Sequence, residues 1–331
     1  MNNFSIGVDL GGTNLRVAAV SDEGRVLKRM ALGTDLHLGR ETVVTAMCEA
    51  IQSLAKEFRK TSALAGIGIG VPGIIDLDTG MLYHSPNLPG WSNYPVRDEI
   101  EKRLRARVIL ENDANVAALG EKWIGAAKDV DDMCMVTLGT GVGGGIVLGG
   151  RLWHGANGFA GEIGHITVVN EGYPCGCGNR GCVEQYSSAT AIKRLASEAI
   201  ERGDAPQLKK RVDEGAELTS EFVYRMAMQG DEPCKKIFAD MGQALGLLIA
   251  GLLNTLDLAM VVIGGGVASA WDAFHPALMT ELRKRSYVFR TTSPEASDSS
   301  GHSGTPTQIT QAVLGDNAGL IGAARLPLQM R

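Results

Sequence analysis

Asp113 lies in the run Glu111-Asn112-Asp113-Ala114-Asn115, after a short apolar stretch and at the start of an amphipathic one. The chain there reads as strand, then helix, which puts Asp113 at or near the helix N-terminus. The macrodipole favours a carboxylate's charged form at that place. Helix capping is the common structural role for such an Asp, and it is compatible with chemistry. An ionised Asp can accept the proton of an attacking hydroxyl. Phosphoryl transfer asks little more of a base, because positioning and charge stabilisation carry most of the work. Asn112 beside it offers a sugar hydroxyl both a donor and an acceptor.

Three glycine-rich turns could supply the phosphate side of that chemistry. A triphosphate needs many aligned donors, and backbone N–H groups provide them where glycine lets the chain approach. The first turn is Asp9-Leu10-Gly11-Gly12-Thr13-Asn14, in which Thr13 adds a hydroxyl. Asp9 would repel phosphate directly, so it is placed one shell out, holding Mg²⁺ or its water. A plain hairpin turn with a surface Asp fits the same residues. The second turn covers residues 139–145 and includes Gly139, Thr140, Gly141 and Gly143. Gly139, Gly141 and Gly144 spell a G-x-G-x-x-G, and Glu162 lies at a tempting distance for a ribose. A dinucleotide fingerprint requires a helix directly after the glycines, whereas Ile146-Val147-Leu148 reads as strand. A pair of hairpins clamping nucleotide phosphates is the better reading. The third turn, Gly264-Gly265-Gly266, precedes a helix and could close on the adenosine, or be a simple strand-to-helix turn.

Cys175, Cys177 and Cys182 form a C-x-C-x4-C knot among Gly176, Gly178 and Gly181. A Cys175–Cys177 disulfide would be strained, so thiolate ligation is preferred. Structural zinc takes four N or S ligands, and His165, ten residues ahead of Cys175, is the nearest fourth. His165 ends the run Glu162-Ile163-Gly164-His165, and Glu184 follows Cys182 by two residues. One imidazole nitrogen can bind metal while the other meets a ligand hydroxyl. The knot then aims His165, Glu162 and Glu184 into a polar pocket suited to the vicinal hydroxyls of a neutral sugar, unless the two glutamates simply lie solvated on a surface loop. Cys48, Cys134 and Cys234 fall in helix or strand and read as packed thiols.

Positioning these groups is the task of alternating strands and helices. Strands are expected over residues 4–8, 15–20, 25–30, 64–71, 108–110, 133–138, 146–148, 151–154 and 258–263. Helices are expected over residues 41–59, through Val96, Ile100 and Leu104, and over 114–123, 235–254 and 315–325. The last helix is expected to pack back on the N-terminal half. Two strand–glycine turn–strand units about 130 residues apart indicate a duplicated, two-domain α/β protein. Residues 291–307, rich in Ser, Thr, Pro and Gly, read as a mobile surface loop.

Composition narrows the functional classes. At 331 residues, 44% hydrophobic and 21% charged, the chain is an ordinary globular one of about two domains. Glycine, 43 residues, is nearly twice the usual ~7%, and its clustering points to tight turns that meet ligand. A net charge of −5 with no basic patch argues against nucleic-acid and anionic-membrane partners. The longest apolar run, residues 244–253, is short of the ~20 residues needed to span a bilayer and reads as a buried helix. The N-terminus has neither the basic start nor the apolar stretch of a secretory signal, so the cysteines are expected in the reducing cytoplasm.

Taken together, the motifs resemble the ROK family of repressors and sugar kinases, in particular its bacterial glucokinases. The resemblance runs through Asp9–Thr13, Glu111–Asn115, residues 138–145, Glu162–His165, residues 175–184 and residues 264–266. It implies an α/β, actin-like ATPase (ribonuclease H-like) duplicated fold with an interlobe cleft. The lobes would be residues 1–112, completed by the C-terminal helix at about 315–331, and residues 113–314 with the zinc loop. It implies ATP with Mg²⁺ and structural Zn²⁺, with glucose phosphorylated to glucose 6-phosphate and Asp113 as base toward the primary hydroxyl. The sugar ligands it implies are Asn112, Glu162, His165 and Glu184, with Gly73 through its backbone and Asn87 nearby. ATP would meet Asp9, Gly11, Gly12, Thr13, Asn14, Gly139, Thr140, Gly141, Gly143, Gly265 and Gly266. Zinc would be held by His165, Cys175, Cys177 and Cys182. Homo-oligomers, dimers or tetramers, are implied as well. The competing substrates are N-acetylglucosamine, N-acetylmannosamine, fructose and allose. A repressor role is disfavoured because only three residues precede Phe4, leaving no helix-turn-helix reader. The intact Asp113, Glu162 and Glu184 argue against a non-catalytic ATP-binding module.

Overall fold

The computed structural model describes residues 3–295 and 305–329. In chain order the elements are β1 (Asn3–Leu10), β2 (Asn14–Ser21), β3 (Val26–Gly33), α1 (Arg40–Phe58), β4 (Ala63–Val71), β5 (Ile74–Ile75), β6 (Leu82–His84), α2 (Val96–Leu104), β7 (Ile109–Asn112), α3 (Asp113–Ile124), β8 (Met133–Leu138), β9 (Val142–Leu148) and β10 (Arg151–Leu152). There follow α4 (Glu184–Ser187), α5 (Ala189–Glu201), α6 (Pro206–Asp213), α7 (Ser220–Met228), α8 (Glu232–Leu256), β11 (Met260–Gly264), α9 (Trp271–Arg285), α10 (Tyr287–Thr292), β12 (Gln308–Gln311) and α11 (Ala318–Gln329).

Duplication is visible in the sheets. One has the order β3-β2-β1-β4-β7 and the other β10-β9-β8-β11-β12. In the first, β2 is antiparallel to β1 and β3, while β4 runs parallel to β1 and β7 parallel to β4. In the second, β10 is antiparallel to β9 and β12 parallel to β11.

The chain divides into two compact units, one of Met1–Met135, Gly145–Gly161 and Ala312–Arg331, the other of Val136–Gly144 and Glu162–Gln311. The sequence set the first boundary at 112/113. The structure instead groups α3 with the first unit, because α3 packs along α11 in that unit.

In the first unit, Phe4, Ile6, Val8 and Leu10 of β1 are buried with Val43, Val44, Met47, Ile51 and Leu54 of α1, the apolar face that periodicity foretold. The opposite face of β1 and β4 is built for contact with backbone. A Cβ at Gly7 would strike Leu320 O, and one at Gly68 would strike Ala323 O, both on α11. This glycine face lets α11 lie flat on the sheet, so the last helix does pack on the N-terminal half as expected.

Two expected boundaries change, and the helix expected over 235–254 proves longer. Residues 143–145 belong to β9 rather than to a turn: a Cβ on Gly145 would come within 2.6 Å of the Ala118 Cβ. That glycine serves close helix–strand packing. The final strand of the set is only Arg151–Leu152. The apolar 244–253 run belongs to a 25-residue helix, α8, which is long and apolar enough to cross a bilayer. Its apolar face is largely buried, with Phe238, Leu245, Ile249 and Leu253 fully enclosed. In the 291–307 segment, Thr292 and Thr307 are joined by a 2.7 Å hydroxyl contact and by the Thr307 N–H to Thr292 O bond. Of the expected mobile loop, residues 291–292 belong instead to α10, and residues 296–304 lie outside the described residues.

Candidate active site

Within the first unit, parallel strands bring two of the predicted groups to one edge. Asp9 pairs across to Gly70, Gly70 to Glu111, and Val71 to Asn112. Strands lie ~4.8 Å apart, so Asp9 and Glu111 are roughly 10 Å apart along the carboxyl ends of β1, β4 and β7. In open α/β sheets that is the edge at which ligands bind.

The Gly11–Thr13 turn is tied down by the Gly11 N–H to Asn14 O bond of 2.8 Å and the Thr34 N–H to Thr13 O bond of 3.0 Å. Gly12 faces the Asn87 carbonyl, which a Cβ would approach to 2.7 Å, so Asn87 borders the turn. Burial pushes the Asp9 carboxyl above its ordinary range, Arg16 at 3.6 Å opposes this, and Asp316 adds to it. A desolvated carboxylate beside a glycine turn fits Mg²⁺, which characteristically takes one or two protein carboxylates plus phosphate oxygens.

The β7–α3 junction differs in one detail from the sequence reading. Asn112, rather than Asp113, caps α3: its Oδ1 accepts from Ala114 N at 2.9 Å and Asn115 N at 3.2 Å. Asp113 is the first helical residue, half-buried, with Oδ1 accepting from Ala114 N at 3.0 Å. Capping occupies the Asn112 oxygen, and its Nδ2 donates to Gly73 O at 3.4 Å. Gly73, at φ 112°, sits against His84 O and Ser85.

The second unit holds the thiol knot. His165 closes a short 3-10 helix (Ile163–His165), and its Nδ1 lies 3.6 Å from Cys175 Sγ. Cys177 Sγ lies 3.8 Å from Cys182 Sγ, and all four ligand atoms fall within 4.8 Å of one another. Zinc bonded at ~2.3 Å to S and ~2.0 Å to N spaces its ligand atoms by about 3.8 Å (S to S) and about 3.6 Å (S to N). The donor types and both spacings therefore fit a tetrahedral zinc. Asn179 braces the knot, its Nδ2 donating to Thr167 Oγ1 at 2.8 Å. Beside it, the Arg194 guanidinium stacks 3.6 Å over the Tyr173 ring while both side chains bond Glu198. This fastens the loop to α5. Cys48, Cys134 and Cys234 are buried free thiols, as expected.

With Nδ1 turned to the thiols, His165 Nε2 faces Glu162 Oε2 at 3.8 Å. Burial raises the Glu162 carboxyl, His165 lowers it, and Glu184 raises it. Glu184 opens α4, and its Oε2 accepts from Val142 N at 3.0 Å. The structure thus brings Glu162, His165, Glu184 and the Gly139–Gly141 turn together. Thr190 Oγ1 donates to Thr140 O, holding that turn on the start of α5. Gly265, at φ 89°, backs against Leu138 at the end of β8 before the 3-10 helix Gly266–Ala270. Sequence reasoning missed the Glu184–Val142 bond, the Arg16–Asp9 pair and a His154–Glu111 pair. Each joins residues far apart in the chain or carries no spacing signal.

The ROK family profile matches residues 5–330. The chain is 38% identical over 99% of its length to a glucokinase of Halalkalibacterium halodurans, of which 96% is covered. It is 32% identical to an N-acetylmannosamine kinase of Escherichia fergusonii, over 97% of each chain. A crystal structure of a ROK family glucokinase from Streptomyces griseus, in complex with glucose and AMPPNP, superposes with TM-score 0.79 at 32% identity, covering 98% of this chain and 99% of that one. The repeated sheets are thus those of the actin-like ATPase fold anticipated from the motifs. The chain belongs to the ROK family.

Proposed function

We propose that the protein phosphorylates glucose on its primary hydroxyl, converting glucose and ATP to glucose 6-phosphate, ADP and a proton. The observation that carries this reading is the register of the first sheet. It sets Asp113, which follows β7 directly, and the Asp9–Thr13 turn, which follows β1, on the carboxyl ends of two parallel strands with β4 between them. Asn112 supplies the helix cap, and Asp113, whose Oδ1 accepts from Ala114 N, is assigned as the acceptor of the hydroxyl proton. The α3 dipole favours its ionised form.

Glu162 and Glu184 accept hydrogen bonds from sugar hydroxyls, and His165 meets a hydroxyl through Nε2. Asn112 Nδ2, the Gly73 backbone and Asn87 complete the sugar contacts. Gly11, Gly12, Thr13 and Asn14, with Gly139, Thr140, Gly141, Gly143, Gly265 and Gly266, are assigned to the nucleotide. Asp9 is the residue that would hold Mg²⁺, which supplies charge neutralisation on the phosphates. Zinc on His165, Cys175, Cys177 and Cys182 would be structural, orienting the imidazole. Three thiolate ligands suit a reducing compartment, so we place the reaction in the cytoplasm.

A second reading, phosphorylation of an N-acetylhexosamine, is favoured by the similarity to the N-acetylmannosamine kinase. An assay of ADP release over hexoses and N-acetylhexosamines separates the two. Glucose is expected to give the highest kcat/KM. A higher value for N-acetylmannosamine or N-acetylglucosamine would assign the chain to that substrate.

A further inference from the structure

We propose that His154 and Glu111 form a positioning pair that holds the β7–α3 junction, and with it Asp113, in the orientation the reaction needs. The proposal rests on the phosphoryl-transfer reading given above. His154 Nε2 donates to Glu111 Oε2 at 2.7 Å. The other oxygen, Glu111 Oε1, accepts from Asn112 N and from Asn115 Nδ2, each at 2.9 Å. One buried carboxylate therefore gathers three donors, two of them from residues on either side of Asp113. Glu111 is 4% exposed and Asn115 3%.

His154 is fixed from its own side. It lies two residues beyond the end of β10, Trp153 N–H bonds Ile146 O at 2.8 Å, and His154 O accepts from Ala160 N at 3.0 Å. All of these residues belong to the first unit. The bond to Glu111 raises the His154 pKa above its ordinary value against the opposing effect of burial. A buried carboxylate stripped of its His154 partner would seek another donor. The nearest candidates to shift are the Asn112 N–H and the Asn115 amide, and Asp113 would move with them. His154 contacts Glu111 and is a positioning residue, acting on the substrate only through Asp113.

His154→Ala is expected to lower kcat about 10- to 100-fold, the cost of a displacement of order 1 Å at a reacting group. The KM values for glucose and ATP should stay near wild type, and the backbone amides of Asn112 and Asn115 should exchange hydrogen faster. His154→Gln, whose amide can still donate to Glu111, should restore both the exchange protection and most of kcat. If His154→Ala fails to fold, Glu111→Gln carries the same test. It keeps the Oε1 acceptor and weakens only the His154 bond, so kcat should fall without a KM change.

An unchanged kcat, a loss carried by KM alone, or a His154→Gln variant that regains protection but not turnover overturns the proposal. A wild-type protein that phosphorylates no sugar overturns the kinase reading, and the role of the pair with it. Normal wild-type turnover together with an indifferent His154→Ala overturns the positioning role alone.

Discussion

Asp113→Ala is expected to bind glucose with little change in Kd while turning over about 10²- to 10⁴-fold more slowly, the usual contribution of a positioned general base. The substitution removes the Asp113 Oδ1 bond from Ala114 N and leaves the cap of α3 in place. Asn112 keeps both cap hydrogen bonds at the start of α3. Losing an acidic side chain from the first helical turn costs about 0.3–1 kcal/mol, too little to unfold a domain. Calorimetric titration with glucose and a steady-state assay separate binding from chemistry. Turnover within a few-fold of wild type would remove Asp113 from the role of base, whatever the fate of affinity.

Loss of the metal should have the second-largest effect. The freshly purified protein is expected to carry about one zinc per chain, since four N and S donors at tetrahedral spacing make a closed structural site. Cys182→Ser should lose that zinc and cut kcat/KM for glucose by about 10- to 100-fold, the range seen when the groups that orient a metal-site histidine are disturbed. The loss should fall mainly on KM, because His165 is assigned to holding the sugar and takes no proton from it. Elemental analysis that finds no zinc in active, freshly isolated protein would contradict the site. So would a Cys182→Ser variant that loses zinc with glucose kinetics unchanged.

Much of this fold was legible in the sequence because it is written in periodicity. Val43, Met47, Ile51 and Leu54 return every three or four residues, and α1 buries that face. The paired strand–glycine turn–strand units anticipated two sheets of matching order. Glycine was the ambiguous letter. In residues 11–12 it marks a turn, whereas at Gly145 and Gly68 it makes room for a helix, and a single chain cannot distinguish turning from close packing until the partner helix is placed.

The site divides in the same way. Short-range spacing announced the thiol knot, since Cys175, Cys177 and Cys182 lie within eight residues and His165 within ten of the first. The sequence reading offered Asp113 as the cap of the β7–α3 junction, and the structure gives that role to its neighbour Asn112. The Glu111–His154 pair spans 43 residues with no motif of its own, so only the folded first unit shows the two together.

Phosphorus NMR of the product formed from glucose and ATP tests the central claim most directly. The account predicts a single new phosphomonoester signal split into a triplet by two methylene protons, the signature of phosphate on the primary carbon, and its absence with Asp113→Ala under the same conditions. A doublet, which places the phosphate on a ring carbon, or full product formation by Asp113→Ala would contradict it.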